Sequence, residues 1–297
     1  MRTVSKTGIH WLGEPGASQD PATVGGKAAN LSLLAARFTV PPGFCVVGAS
    51  TDGEPPSTDG EPALAEDAIR AAYRELSHGA GDVAVAVRSS AVDEDGEDAS
   101  FAGQNETFLN VRGAAAVIAA VRDCVASFGS ERARSYRRQR GLGDVPRRYA
   151  VLVQRLVVAD VAGVAFSVDP VTGDPDHVLI NAAWGLGESV VGGAVTPDTY
   201  LFDTTADAVV PRVAVKEVMT VATPGGTAEV RVPERLREHP CLDDAAVRTT
   251  ARLAVDLEKA MGRPVDVEFA WAGDRLHLLQ CRPVTTSVRQ RENGAEA

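Results

Sequence analysis

Segments typical of buried strands alternate with amphipathic helical segments along most of this 297-residue chain, and this alternation limits the possible folds more than any other feature. Residues 163–168 and 178–183 are short apolar runs that predict buried strands. Asp244–Met261 is a long helical pattern that Gly262 and Pro264 close. Mixed strands and helices over this length predict an α/β or α+β fold with a cleft.

The other predicted elements continue the alternation. Apolar periodicity predicts helices over residues 27–37, 114–126 and 130–139, and strands over residues 83–87, 150–158, 265–271 and 276–281. The last two strands flank an Ala-Gly-Asp turn and predict a hairpin. Two segments fall outside the pattern. Residues 51–62 repeat TDGEP and predict a solvated acidic linker, and residues 286–297 predict a polar tail that frays.

Charge and cysteine content exclude several classes of protein. The 30 basic and 40 acidic residues give a net charge of −10, which argues against a broad nucleic-acid or anionic-membrane surface but allows a local phosphate pocket. The four cysteines are far apart and form no CxxC pair, so we expect reduced thiols. The sequence shows no signal peptide and no apolar stretch long enough to span a membrane. We therefore expect a cytoplasmic protein without nucleic-acid or membrane partners.

Gly25-Gly26-Lys27 resembles a P-loop at first sight but does not satisfy that motif. Ala28 follows the lysine where a serine or threonine must bind magnesium. The segment nevertheless precedes a predicted helix, so backbone N–H groups and the Lys27 ammonium could face an anion. The alternative is a solvated surface lysine.

Arg88 ends an apolar strand, and its guanidinium fork suits phosphate oxygens. The alternative is an ion pair with the acidic run at residues 93–98. Small residues and hydroxyl groups follow at residues 101–107, which include Gly103 and Thr107. Such a segment could lie close over a nucleotide, and an ordinary turn explains it equally well.

The C-terminal hairpin carries a candidate metal site. Glu268 and Gln280 are paired across the two strands if the loop is three residues long, with Cβ atoms roughly 4.5–5.5 Å apart. A carboxylate beside an amide oxygen offers two hard ligands, and Mg²⁺ typically takes one or two protein groups plus substrate phosphates. Arg282 lies on the same face and could contact those phosphates. The alternative is a pair of solvent-facing side chains.

Four motifs in this order resemble the nucleotide-binding domain of the phosphoenolpyruvate synthase and pyruvate phosphate dikinase family, which rifampicin phosphotransferases share. They are GGKAANLSLL with VPPGFCV, VAVRSSAVDEDGEDASFAGQNETFLNV, GVAFSVDPVTGDPDHVLINAAWGLGESVVGGAVTPDTY, and GRPVDVEFAWAGDRLHLLQCRPVT. The resemblance covers about residues 25–285. It implies an α+β, ATP-grasp fold over residues 1–285, in which lobes of roughly residues 1–150 and 151–285 clamp ATP.

The resemblance also implies roles for individual residues. Lys27, Arg88 and Arg282 would contact phosphates and carry the catalysis, and Gly103 and Thr107 would belong to the loop over the triphosphate. Gln154 would lie near the adenine, a role that the residue pattern alone does not indicate. Glu268 and Gln280 would bind Mg²⁺. Positive groups and Mg²⁺ around a transferring phosphoryl group act through electrostatic stabilisation and alignment.

The chain departs from the family pattern in two places. The stretch between Phe44 and Arg88 is shorter than usual, with the acidic repeat in place of a fuller helical region. None of the histidines lies in a TSHAA-like phosphohistidine motif, and His177 and His277 are interpreted as structural or surface residues. The resemblance therefore implies a phosphotransferase component whose acceptor lies outside this chain.

The family resemblance is compatible with two functions. In the first, the chain passes a phosphoryl group from ATP to a small molecule or to a histidine on a separate swivelling protein, with a partner domain that binds phosphoenolpyruvate, pyruvate or a drug. In the second, the chain is a non-catalytic ATP sensor that regulates a partner.

Overall fold

The computed structural model describes residues 8–49, 62–79, 81–90, 107–139 and 148–284. The strands are β1 (Gly8–Trp11), β2 (Gly43–Ala49), β3 (Val85–Ser89), β4 (Thr107–Val111), β5 (Arg148–Arg155), β6 (Val161–Phe166), β7 (His177–Trp184), β8 (Asp198–Asp203), β9 (Ala208–Arg212), β10 (Val218–Thr223), β11 (Gly226–Arg231), β12 (Val265–Ala272) and β13 (Arg275–Pro283). The helices are α1 (Pro21–Leu34), α2 (Pro62–Leu76), α3 (Ala114–Ser127), α4 (Glu131–Gln139), α5 (Glu188–Val191), α6 (Glu234–Arg237) and α7 (Asp244–Met261).

The strands form two large sheets and a separate hairpin. The first sheet has the order β1-β2-β5-β3-β4, and the second has the order β13-β12-β6-β7-β8-β9. Strands β10 and β11 form a two-stranded sheet, and Thr220 on β10 also makes an isolated parallel bridge to Gly185, just after β7. Neighbouring strands run antiparallel in both sheets, with helices packed on them, so the fold belongs to the α+β class.

The five-stranded sheet is buried on both faces. On its central strand β5, Val151 and Val153 pack into a core with α2 and α3, whereas Ala150 and Leu152 pack toward α1. Successive side chains of a strand point to opposite faces of the sheet. When both faces are covered, every position of the strand is therefore apolar in sequence. This burial explains why the sequence predicts a strand here without any alternation of polar residues.

The six-stranded sheet is covered by α7 on one face. The side chains of Val265, Val267 and Phe269 on β12 point toward this helix and are fully buried. The observed bounds of α7 match the prediction, because Asp243 caps its first turn and Gly262 ends it in a left-handed conformation. The alternate residues of β12 therefore point away from α7, toward the first sheet.

Helix α1 begins earlier than predicted. The prediction started at Lys27, but the helix starts at Pro21 and is interrupted at Gly25, where φ is 78° and ψ is 160°. A Cβ atom at Gly25 would lie 1.8 Å from the backbone oxygen of Ser90. Only glycine permits this approach, so the helical turn that carries Lys27 rests directly on the end of β3.

Several predicted bounds need correction. The strand predicted over residues 150–158 ends at Arg155, because the chain crosses there to the second sheet, and the strand predicted over 163–168 is Val161–Phe166. Residue 62, predicted as linker, begins α2, so the stretch before β3 does contain a helix. Residues 51–61 and 286–297 lie outside the described ranges. Within those ranges, no helix has the length and apolar character needed to cross a membrane.

Candidate functional site

The two large sheets meet along strand β13. The Leu278 N–H donates to the carbonyl of Thr39 over 2.9 Å, and Arg88 Nη1 donates to the carbonyl of Leu279 over 3.2 Å. Helix α1 packs against the same strand. Helix α7 covers one face of the second sheet. These contacts bring the opposite face next to the first sheet, and the candidate site lies between the two.

Arg88 lies within β3 and points to this junction. Register places it opposite Leu152, whose side chain faces α1 and the second sheet. Its Nη2 lies 3.9 Å from Glu268 Oε2, and the two side chains are only 12% and 17% exposed. The acidic run at residues 93–98, predicted as an alternative partner, lies outside the described residues. The observed ion pair therefore joins two of the predicted site residues.

The structure confirms that Glu268 and Gln280 are directly opposite each other. The predicted three-residue loop is wrong, because Ala272 pairs with Arg275 across a two-residue turn. The register shifts by one residue beyond Glu268, so Leu279 forms a bulge. The bulge offsets the shorter turn and restores the predicted pairing, and Gln280 is buried on the same face as Glu268.

Asp266 is a site residue that the sequence analysis missed. Its Oδ2 accepts hydrogen bonds from Arg282 Nε over 2.9 Å and from Arg282 Nη2 over 2.7 Å. Its Oδ1 is buried without a hydrogen-bond partner among the described residues. Burial raises the pKa of Asp266 above its ordinary value, and the positive charge of Arg282 opposes this shift only in part. The available signal was its position two residues before Glu268, opposite Arg282.

Lys27 is buried rather than solvated, so the alternative interpretation of a surface lysine is wrong. Only 8% of the residue is exposed, and its Nζ donates to the carbonyl of Ser89 over 3.1 Å. The Ala28 N–H donates to Ser90 Oγ over 3.1 Å, which ties this helical turn to the end of β3. Because Ser89 follows Arg88, Lys27 and Arg88 reach the same end of the site.

Thr107 and Gln154 lie on the same face of the first sheet as Arg88. Thr107 is exposed and pairs directly with Arg88 across β3 and β4. Gln154 is 2% exposed, and its Nε2 donates to the carbonyl of Pro41 over 3.0 Å. Gln154 is two residues beyond the partner of Arg88 on β5, so it lies further along the cleft. Gly103 lies outside the described residues.

The predicted residues thus form a cluster at the junction with one outlying member. The cluster contains Lys27, Arg88, Thr107, Glu268, Gln280 and Arg282, with Asp266 added. Gln154 lies apart from it, toward Pro41. Two guanidinium groups and an ammonium can hold phosphate oxygens. The Glu268 carboxylate and the Gln280 amide oxygen fit a Mg²⁺ ion that also binds phosphate.

Comparison with known proteins gives the cluster a context. A model of the family described as pyruvate phosphate dikinase, AMP/ATP-binding domain, matches residues 60–297. The chain is 43% identical over 223 residues to a "probable phosphoenolpyruvate synthase" of Methanocaldococcus jannaschii, and the match covers 74% of this chain and 19% of that protein. It is 36% identical over 303 residues to a rifampicin phosphotransferase of Streptomyces sviceus, over 89% of this chain and 34% of that protein.

Among solved structures, a D-alanine–D-alanine ligase from Bacillus anthracis aligns with 90% of this chain and 57% of its own, with 8% identity and a TM-score of 0.37. This similarity is too low to support a functional argument. The two curated relatives are much longer than this chain, which spans 19% and 34% of their lengths. The family match nevertheless covers most of this chain, and it includes all of the second sheet. The chain therefore belongs to the family of pyruvate phosphate dikinase AMP/ATP-binding domains.

Proposed function

We propose that this chain binds Mg²⁺ and ATP between its two large sheets and passes a phosphoryl group to an acceptor that its own site residues do not supply. The observation that carries this proposal is the approach of Arg88 to Glu268 across the junction of the sheets, at 3.9 Å. It brings a phosphate-binding group and a candidate metal ligand into one site. The family match supports ATP as the nucleotide.

The residues of the site divide into two chemical roles. Lys27 and Arg88 would hold oxygens of the transferring and leaving phosphates, and the charge that develops there is stabilised most strongly by groups already in position. Arg282, oriented by Asp266, would contact a further phosphate oxygen. A bound Mg²⁺ on Glu268 and Gln280 would neutralise phosphate charge. Each phosphoryl transfer breaks one bond between phosphorus and its bridging oxygen as the bond to the acceptor forms. Formation of AMP with phosphate therefore requires two such events, one to the acceptor and one to water.

The remaining predicted residues would bind the rest of the nucleotide. Thr107 was predicted in a loop over the triphosphate but begins strand β4 beside Arg88, so it would border the loop to which Gly103 would belong. Gln154 would lie near the adenine, at the other end of the cleft. The acceptor would be a small molecule or a histidine on a swivelling domain with a phosphoenolpyruvate-, pyruvate- or drug-binding partner. The relatives named above include both a synthase and an antibiotic phosphotransferase.

The test combines nucleotide binding with ³¹P NMR of Mg·ATP, using the protein alone and then with a small-metabolite extract. We expect micromolar to millimolar ATP binding and slow formation of AMP with phosphate, or of a new phosphorylated species. Arg88→Ala should abolish turnover and weaken ATP binding. Arg252→Ala is the matched control, because that side chain is 70% exposed on α7.

Two outcomes would contradict the proposal. Unchanged ATP affinity in Arg88→Ala would remove the assignment of the phosphate site. Tight ATP binding without any turnover, even with a phosphohistidine domain from a relative added, would support the alternative of a non-catalytic ATP sensor. ADP with a new phosphoester would indicate a simple kinase and would leave the site assignment intact.

A further inference from the structure

His277 lies on the face of the second sheet that carries the candidate site. It is directly opposite Ala270 in the pairing of β12 with β13. Ala270 follows Glu268 by two residues on β12, and residues two apart on a strand share a face. The imidazole therefore lies on the same face as Glu268 and Gln280. The sequence analysis interpreted His277 only as a structural or surface residue.

One nitrogen of the His277 ring lacks a hydrogen-bond partner in the described part of the chain. Its Nδ1 is buried and has no hydrogen-bond partner among the described residues. In contrast, His177 Nδ1 lies 2.9 Å from Asp174 Oδ2, which accounts for that histidine as a structural residue. A buried polar atom without a partner is uncommon in a folded protein and requires an explanation. A bound ligand that supplies the missing hydrogen bond is one such explanation.

The surroundings of His277 favour the neutral form of its imidazole. Burial lowers the pKa of His277 below its usual value, and the nearby positive charge of Arg275 lowers it further. A neutral ring carries one N–H donor and one acceptor nitrogen. It can therefore satisfy a nucleoside hydroxyl or a base nitrogen, but it brings no positive charge to a phosphate. Its chemistry differs from that of Lys27 and Arg88.

The backbone places His277 at the end of the cleft where Gln154 lies. The N–H of Leu278, the next residue, donates to Thr39, and Gln154 donates to Pro41 two residues further along. One short segment therefore contacts both the neighbour of His277 and Gln154. Arg88 instead contacts Leu279, on the other side of Leu278 from His277. His277 lies away from the phosphate-binding end.

From this geometry we propose that the His277 imidazole binds the nucleoside part of the nucleotide through Nδ1 and positions it for the phosphate-binding residues. The inference rests on the proposed function, because it assumes that ATP occupies the cleft. It adds a binding contact at the end where the family resemblance implied only Gln154.

The experiment compares two ligands by calorimetry in the presence of Mg²⁺: ATP, and tripolyphosphate, which lacks a nucleoside. His277→Leu should weaken ATP binding about tenfold, the fold-change expected for one buried hydrogen bond, and leave tripolyphosphate binding unchanged. His277→Asn, which keeps a polar atom near the position of Nδ1, should restore most of the ATP affinity. His239→Leu is the control, because His239 is exposed. Thermal unfolding checks that each variant folds.

A third ligand identifies the group that is contacted. If the loss in His277→Leu is smaller for 2′-deoxy-ATP than for ATP, the contact is to the ribose hydroxyl; an equal loss assigns it to the base. An equal loss for ATP and tripolyphosphate, or no loss for either, would overturn the role of His277. Failure of the unmutated protein to bind both ligands would instead count against the proposed function itself.

Discussion

At the scale of single residues, the two arginines of the site are held in different ways. Arg282 donates two hydrogen bonds, at 2.9 and 2.7 Å, to one oxygen of Asp266. Arg88 reaches Glu268 only at 3.9 Å, beyond hydrogen-bond distance. Charge-assisted hydrogen bonds are roughly twice as strong as neutral ones. Arg282 is thus oriented before a nucleotide binds. The weaker contact between Arg88 and Glu268 can separate, so that Arg88 contacts phosphate and Glu268 binds the metal.

The metal role of Glu268 gives a prediction at this scale. In the unmutated protein, EDTA should weaken ATP binding by at least about tenfold, because phosphate charge is no longer neutralised by a held cation. Glu268→Gln should bind ATP with little difference between Mg²⁺ and EDTA. Titration calorimetry with and without EDTA measures both effects. Glu229→Gln, on the exposed side of β11, serves as the control.

Equal ATP affinity with Mg²⁺ and with EDTA in the unmutated protein would contradict the metal role. So would a Glu268→Gln variant that keeps the full magnesium dependence. In that case the hydrogen-bonded pair Asp266 and Arg282 would define the site without a cation on Glu268.

At the scale of elements, the side chain of Asn110 attaches the β10–β11 hairpin to the first sheet. Asn110 on β4 donates its Nδ2 to the carbonyls of Thr223, over 2.5 Å, and of Gly226, over 2.6 Å. The residue has a positive φ of 56°, a conformation that asparagine adopts more easily than most residues. It is almost fully buried. This contact joins the sheet that carries Arg88 to a hairpin from the later part of the chain.

Asn110→Ala should release the tip of this hairpin. We expect a loss of about 1–3 kcal/mol in the free energy of unfolding, because both the hydrogen bonds and a favourable backbone residue are removed. Hydrogen exchange should accelerate over residues 218–231. Asn110→Gly separates the two causes, since glycine accepts the positive φ but offers no amide. Full protection of the hairpin in Asn110→Gly would show that the hydrogen bonds do not hold it.

A second element, the segment before β10, depends on a buried ion pair. Lys216 Nζ donates to Asp198 Oδ1 over 2.5 Å, and both side chains are fully buried. Burial alone would raise the pKa of Asp198, but hydrogen bonds from Lys216 and from the N–H groups of Cys241 and Ala214 lower it below the ordinary value. The pair therefore connects β8, the segment before β10 and the segment that leads into α7.

Asp198→Asn should cost about 3–5 kcal/mol at pH 7, since it leaves the Lys216 charge buried without a counter-ion. The contribution of a carboxyl group with a lowered pKa is present above its unfolded pKa of about 3.9 and is lost as the pH falls through the folded value. The difference between the unmutated protein and Asp198→Asn should therefore be constant from pH 7 to 5 and shrink below pH 4. Urea unfolding at several pH values measures it.

The matched control is Asp256→Asn on α7, whose pair with Lys259 is exposed. We expect a change of less than about 1 kcal/mol there. An Asp198→Asn variant with the same small cost, or a difference that grows on acidification, would show that the buried pair does not stabilise the fold as described.

At the scale of the whole molecule, α1 is the element that joins the two sheets. Its residues Leu31 and Leu34 belong to a core that also contains Leu152 of the first sheet and Leu278 and Cys281 of the second. The same helix carries the buried Lys27 in its middle, just after the interruption at Gly25. The packing of α1 therefore sets the distance between the sheets and the position of one phosphate-binding group together.

Local patterns in the sequence were enough to determine several parts of this molecule. The bounds of α7 follow from its apolar period, Asp243 and Gly262, all of which are local signals. The Glu268–Gln280 pairing was also predictable, although the turn length was not. Seven strands were not predicted: β1, β2, β4, β8, β9, β10 and β11. Each has only four to seven residues, too few to show a clear period, and two of them, β2 and β8, lie inside their sheets.

The tertiary structure alone decided how the site residues meet. Lys27 contacts Ser89 across 62 positions of sequence, and Arg88 contacts Leu279 across 191. The burial of Lys27 depends on groups this distant, and the hydrogen bonds of Asp266 join it to Arg282, 16 positions away on the neighbouring strand. Secondary structure follows from interactions within a few residues, whereas burial and charge pairing depend on which distant segments fold against each other. The sequence therefore predicted which helix or strand carries each site residue and which ligands that residue type can bind. The fold determined which other residues each one contacts.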